Sequence, residues 1–208
     1  MRITTALIGG AGRKLLLSAG LVGMVASVAG MASYATFTST TSATQSQASG
    51  TVTIGVGTAG GADNRLTVGA TNLAAGDTVD RQVKLSNSGS IDLSALTLTT
   101  TAPTSSVLNT DTTNGLQLQV DKCSVAWTEA GTNPYTYTCG GTTTSVVAAR
   151  PVIGSAISLG SLASMTAGGS DYLRVRVTLP TAADNSFQGK ASTLQYTFDA
   201  TQRTATAK

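Results

Sequence analysis

Apolar and polar residues alternate with a period of two along most of the chain beyond residue 50. The alternation is clear in six segments, which cover residues 52–56, 79–85, 91–93, 116–120, 173–179 and 194–200. Such alternation predicts β-strands with one buried and one exposed face. Beyond the first 35 residues no segment shows a sustained helical period, so we expect an all-β protein.

Short turn sequences separate these segments and contain glycine, asparagine and aspartate. Examples are Ala75-Gly76-Asp77, Asn87-Ser88-Gly89 and Thr113-Asn114-Gly115, which hold the residue types that tight turns favour. About ten short strands with hairpin-length connections predict an antiparallel two-sheet β-sandwich with jelly-roll-like wiring. We expect one such domain over residues 50–208.

The alternation changes phase at two places, between Leu93 and Leu96 and between Val120 and Cys123. A shift of one residue would turn the buried side chains of a strand outward. We therefore expect a bulge or a strand break at each of the two places.

The first 35 residues have the layout of a secretory signal. A basic start is followed by an apolar run, and Ser33-Tyr34-Ala35 closes it with small residues. We predict cleavage between Ala35 and Thr36 by a signal peptidase, with a cut after Ala32 as the alternative. At about 18 residues the run is also long enough for a retained anchor. The prediction is a secreted or surface protein that meets the membrane only through its uncleaved signal.

Removal of this segment changes the charge of the chain. Lysine and arginine number 13 against 10 aspartate and glutamate, but three of the basic residues lie in the signal, so ten of each sign remain. No basic cluster is left for a nucleic acid. A net charge near zero permits self-association.

Cys123 and Cys139 are the only cysteines, and they flank a predicted hairpin over residues 125–138. In a secreted chain an isolated pair predicts one structural disulfide. Two thiols without histidine cannot complete a zinc site. We expect Trp127, the sole tryptophan, to pack beside the bridge, with a ligand platform as the alternative.

Catalytic chemistry has few candidates. The chain contains no histidine and a single glutamate, Glu129, which excludes a Ser-His-Asp triad and an HExxH zinc site. The aspartates are expected to form turns. Weak calcium binding stays open at Asp63-Asn64, Asp111–Asn114 and Asp184-Asn185. The sequence predicts a protein that is not an enzyme and that has no cofactor.

Four segments, taken in order, resemble the TasA/camelysin family of secreted bacterial proteins. The signal is one, and Ala35-Thr36-Phe37 with Ala48–Ile54 is another. The two remaining segments are the turns around an early strand and the closing block of the chain. Their matching residues are Gly76, Asp77, Asn87 and Gly89 in the former, and Asn185, Phe187, Gln188, Gly189, Tyr196, Phe198 and Gln202 in the latter.

The resemblance implies a jelly-roll sandwich, export and, for members that form biofilm matrix fibres, assembly by donor-strand exchange. In that mode the N-terminal segment of one subunit completes the sheet of the next, and residues 36–49 are the candidate here. Its first residues are Thr36, Phe37, Thr38, Ser39, Thr40 and Thr41. Some members carry a metalloendopeptidase label, from which this chain departs because it has no histidine. It also departs at Ala75, where proline is usual, and over residues 122–144, a segment that varies widely in the family.

We therefore expect a secreted structural protein that self-assembles into fibres or a matrix layer by strand addition. Phe37 is the one bulky apolar anchor in the N-terminal segment, for which an exposed flexible leader is the alternative. A monomeric adhesin or binding module with a pocket around Trp127 is the second hypothesis for function. A secreted endopeptidase is the third.

Overall fold

A computed structural model describes residues 49–67, 69, 72–132 and 134–206. The predicted signal, its cleavage site and residues 36–48 lie outside this part of the chain. The described residues form ten strands, one short α-helix, α1 (Val107–Thr110), and two single-turn 3-10 helices, Ala163–Met165 and Asn185–Phe187. The strands are β1 (Ile54–Val56), β2 (Thr78–Asn87), β3 (Leu93–Thr104), β4 (Gln117–Cys123), β5 (Trp127–Ala130), β6 (Thr136–Cys139), β7 (Thr143–Pro151), β8 (Gly154–Ser158), β9 (Ser170–Thr178) and β10 (Thr193–Gln202).

The strands pair in a nested order that confirms the jelly-roll-like wiring. β5 pairs with β6, β4 with β7, β3 with β8 and β2 with β9, all antiparallel. This is the pairing of one long hairpin rolled over on itself, the wiring of a jelly roll. The result is a five-stranded sheet in the order β1-β2-β9-β4-β7 and a three-stranded sheet in the order β10-β3-β8. The β5–β6 hairpin forms a small sheet of its own.

The core lies between the two larger sheets. Its buried side chains are mainly those of leucine and valine. Five leucines are completely covered, namely Leu85, Leu98, Leu118, Leu159 and Leu173. Leu85, Leu118 and Leu173 belong to the predicted segments, whereas Leu98 and Leu159 lie outside all six of them. The alternation was wrong about burial in the first segment, because Val52 and Val56 are 37% and 44% exposed beside the edge of the sheet.

Both predicted phase changes coincide with irregular pairing. In β3, Thr201 lies opposite Ala95 and Gln202 opposite Leu93, which leaves Ser94 as a bulge. At the second place the bulge is in the partner strand, since Val120 pairs with Val147 and Asp121 with Ser145, which leaves Val146 of β7 as the extra residue.

At β4 the strand itself continues without a break, since its register with β9 stays regular from Gln117 to Cys123. The pattern changes phase because Asp121 and Cys123 become buried on the outer face, where the β5–β6 hairpin packs. Lys122, on the opposite phase, donates to the carbonyl of Ser161.

Among the described residues no helix is long and apolar enough to cross a membrane.

Candidate functional site

The inward face of β10 is only half covered. β10 is an edge strand, and its register places Phe198 opposite Leu98 and Ala200 opposite Leu96. Leu96 and Leu98 are buried, whereas the inward residues of β10 are partly exposed. No other described strand pairs with the outer edge of β10. Apolar side chains and a row of backbone hydrogen-bonding groups are thus open along one flank of the sandwich.

A groove of about 440 Å³ opens on this flank between β10 and the five-stranded sheet. Its floor is apolar and includes Val79, Val175 and Val177. Leu194 and Tyr196 line it from β10, and burial raises the pKa of the Tyr196 phenol. The groove presents an apolar surface beside the free edge of a strand, which is the arrangement that an added extended segment can use.

The loop between β1 and β2 closes one side of the groove. We call the described residues of this loop, 57–67, 69 and 72–77, the roof loop. Its members Leu66, Thr67, Gly69 and Leu73 line the groove. Buried Arg81 lines it from β2 and donates to the carbonyl of Gly69 over 3.0 Å. The roof loop is therefore fastened to β2 beside the groove.

The described chain starts at the end of the five-stranded sheet that lies away from the groove. Thr51 and Thr53 accept hydrogen bonds from Ser90 and Ser88, just beyond the end of β2. The groove lies near the other end of that strand, at Val79. Eight residues of strand separate Val79 from Asn87, which corresponds to about 27 Å.

The β5–β6 hairpin is fixed to the outer face of the five-stranded sheet. The predicted disulfide is confirmed, since Cys123 and Cys139 are bonded with their Cα atoms 5.7 Å apart. Trp127 packs beside this bridge, as expected, and only 6% of its surface is exposed. Its Nε1 donates to the carbonyl of Tyr172, and the Arg174 guanidinium lies 4.7 Å from its ring centre. A tryptophan covered in this way is part of the packing and offers little surface to a ligand.

A second contact ties the hairpin to the roof loop. Arg65 forms a two-point ion pair with Glu129, at 3.0 Å and 2.6 Å. Tyr137 donates to the same carboxylate over 3.0 Å. The hydrogen bond from Arg65 holds the pKa of Glu129 below its ordinary value. Burial, and then the bond to Glu129, raise the pKa of Tyr137 to about 12.

The outer face of the five-stranded sheet carries two more ion pairs beside the hairpin. Arg174 bonds Asp121 over 2.6 Å, and Arg176 bonds Asp80 through two contacts of 2.8 and 2.9 Å. The two carboxylates thus offset the positive charges of Arg174 and Arg176 on this face.

Family-motif residues from distant parts of the sequence meet at a second cavity of about 320 Å³. Asn185, Phe187, Gln188 and Gly189 line it together with residues 72–75, which precede Gly76 and Asp77.

The roles of these residues are those of turns. Gly76 and Gly189 have positive φ angles of 94° and 67°, and Asp77 accepts from the amide of Ala74. These positions stabilise the chain reversals that carry β2 and β10 to their places.

The Asn87 turn organises the opposite end of β2. Buried Asn87 accepts from the amide of Gly89 and donates to the carbonyl of Ile91. A Cβ on Gly89 would lie 2.3 Å from the carbonyl oxygen of Thr51, so only glycine fits there. The remaining motif residues Tyr196, Phe198 and Gln202 lie on β10; Gln202 pairs with Leu93.

Two of the carboxylates that the sequence offered for calcium serve turns. Asp111 accepts from the amides of Thr113 and Asn114, which lowers its pKa. Asp184 accepts from the amide of Ser186, and its pKa is also lowered. In the part of the chain that the structure describes, no group of three or more His, Cys, Asp or Glu side chains is placed to hold a metal ion.

The described residues thus form a jelly-roll-like sandwich with one open flank and a disulfide-bonded hairpin, β5–β6, on its outer face. The chain belongs to the camelysin metallo-endopeptidase family, whose model matches residues 14–207. This is the family that the four sequence segments resemble. No curated protein matches the chain at a significant level.

The metal implied by the family description does not fit the side chains of this protein. Zinc in a peptidase needs nitrogen, oxygen or sulfur ligands that converge from three side chains. The chain has no histidine, both cysteines are joined in the disulfide, and Glu129 is engaged by Arg65 and Tyr137.

Proposed function

We propose that this protein is a secreted structural subunit that assembles head to tail, each subunit receiving the N-terminal segment of another copy along β10. The observation that carries the proposal is the open flank, where a free strand edge and an uncovered apolar face lie side by side. An extended segment placed there would add main-chain hydrogen bonds and cover apolar side chains at once.

The position of the described N-terminal end supports a partner in another copy. The chain enters the sheet near Ser90, at the end away from the groove. To enter its own groove, the preceding segment would have to reverse and run back over about 27 Å of sheet. A contact between different surfaces of two copies continues from copy to copy and generates a filament.

The length and pattern of the segment also support the proposal. Thirteen residues, 36–48, span about 44 Å when extended, whereas the ten residues of β10 span about 34 Å. Phe37 supplies one bulky apolar side chain, and the threonines suit a pleated strand. Near-zero net charge after signal removal leaves little repulsion between copies.

A purely structural role agrees with the chemistry of the side chains. The described residues include no group of three or more His, Cys, Asp or Glu side chains placed to hold a metal ion, and the chain offers no imidazole as a base or metal ligand. We therefore include in the proposal that the protein is not a peptidase. The alternative of a binding module around Trp127 receives no support, because that ring is covered.

A charge in the groove tests the proposal. Leu194→Glu would place a carboxylate on the half-covered inward face of β10, whereas Gln195→Glu places the same charge on its exposed face. The chain from Thr36 onward should form filaments with Gln195→Glu and remain monomeric with Leu194→Glu, as measured by size-exclusion chromatography over a concentration range. Equal assembly of both variants would contradict the use of this groove.

A further inference from the structure

We infer that the disulfide-bonded β5–β6 hairpin positions the roof loop of the groove. The side chain of Tyr135 is the part of the hairpin that makes the positioning contacts. The inference rests on the proposed function, since it concerns the groove that receives the added strand. Tyr135 is not among the residues that line the groove, and it contacts Arg81, which does line it, so its role would be that of a positioning residue.

The ring of Tyr135 contacts two arginines that belong to different segments. The Arg65 guanidinium is 4.8 Å from the centre of its ring, and the Arg81 guanidinium is 5.4 Å from it. Cations near the face of an aromatic ring are attracted by its quadrupole. One side chain of the hairpin thus orients two cationic side chains at the same time.

Each arginine fastens a different part of the roof loop. Arg65 belongs to the loop, donates its amide to the carbonyl of Gln82 over 2.9 Å and bonds Gly60 through its side chain. Its chain neighbour Leu66 lines the groove. Arg81 lines the groove from β2 and bonds the carbonyl of Gly69. Both guanidinium groups therefore add to the backbone contacts that hold the roof loop against β2.

The hairpin can act as a fixed support because it is anchored at both ends. At its base the bridge between Cys123 and Cys139 ties it to β4. Further along, Glu129 holds Arg65. Tyr135 is thus presented to the two arginines by a short structure that cannot easily move away.

The test compares three variants of the chain that starts at Thr36. Tyr135→Ala removes the ring that both arginines contact, Tyr135→Phe keeps the ring, and Tyr172→Ala is the matched control. Tyr172 packs against the same hairpin cluster, but its ring contact is with Lys84 rather than with either arginine. The readouts are the critical concentration for assembly, measured by sedimentation, and the thermal midpoint of the unassembled protein.

We expect Tyr135→Ala to raise the critical concentration by about tenfold, the affinity change that corresponds to the loss of cation–ring contacts. Tyr135→Phe should assemble like the unaltered chain. Tyr172→Ala should lower the thermal midpoint with a smaller effect on assembly. An unchanged critical concentration for Tyr135→Ala, or an equal rise for Tyr172→Ala, would overturn the inference.

Arg81→Lys provides a second test of the inference if Tyr135→Ala fails to fold. Lysine keeps the charge but loses the planar fork that bonds Gly69, so the critical concentration should rise here too, and no rise would overturn the inference. Failure of the unaltered chain to assemble would instead reject the proposed function. Assembly of the unaltered chain and of Tyr135→Ala at the same concentration rejects the positioning role alone.

Discussion

Phe198 lies directly opposite Leu98 in the register of β10 and β3, yet Leu98 is completely buried whereas Phe198 remains partly exposed. Paired residues in a sheet point to the same face, so the difference arises from what covers them. Leu98 is covered by the five-stranded sheet, and Phe198 lies at the open flank. The sandwich thus has a buried core and one strand, β10, whose inward apolar side chains remain partly exposed.

The disulfide is expected to stabilise the fold measurably. Replacing both Cys123 and Cys139 by serine should lower the free energy of unfolding by about 3 kcal/mol, since the bridge closes a loop of about 17 residues. Urea unfolding of the double variant and of the unaltered protein, with and without reductant, checks this. Equal midpoints for all of these samples would show that the bridge contributes nothing.

Acid should weaken the contact between the β5–β6 hairpin and the roof loop, because protonation of Glu129 breaks its ion pair with Arg65. Because its pKa is lowered in the folded protein, the ion pair with Arg65 stabilises the fold above about pH 4.3, the ordinary glutamate pKa. That stabilisation is lost as the pH falls through the lower folded pKa. Trp127, the sole tryptophan, lies in the hairpin cluster and reports the change by its fluorescence.

Glu129→Gln is the control for this acid transition, because it removes the titrating group and keeps the shape. The glutamine variant should be less stable at neutral pH, and its stability should change less between neutral and acid pH. Identical dependence of stability on pH for both proteins would mean that the ion pair does not contribute.

Metal removal should leave the protein unchanged. A chelator is expected to shift neither the thermal midpoint nor the assembly of the purified chain, because the described side chains form no cluster for a metal ion. Addition of zinc should likewise produce no stabilisation. Casein turnover that a chelator abolishes would contradict the proposal that this family member is not a peptidase.

The fold was largely predictable from sequence because the strands that cross the core alternate cleanly. β9 shows a buried residue at every second position from Asp171 to Val177, and its alternation alone defines the strand. β7 and β8 were not identified individually, because each has a single buried apolar side chain, Val147 in β7 and Ile157 in β8. An exposed edge strand carries too little pattern for recognition by alternation.

The site was predictable only in its separate parts. The sequence placed Tyr196 and Phe198 in a closing strand and Cys123 with Cys139 at a hairpin base, and both placements agree with the structure. The groove could not be predicted, because its lining residues come from the roof loop, β2, β9 and β10. These segments are distant in sequence and come together only in the tertiary structure. The contacts of Tyr135 with Arg65 and Arg81 depend on the same tertiary arrangement.

Electron microscopy of two purified chains tests the central claim most directly. One chain starts at Thr36 and the other lacks residues 36–44, while both keep the whole sandwich. We predict filaments from the first chain and monomers from the second. Filaments of equal length from both chains would contradict assembly by the N-terminal segment.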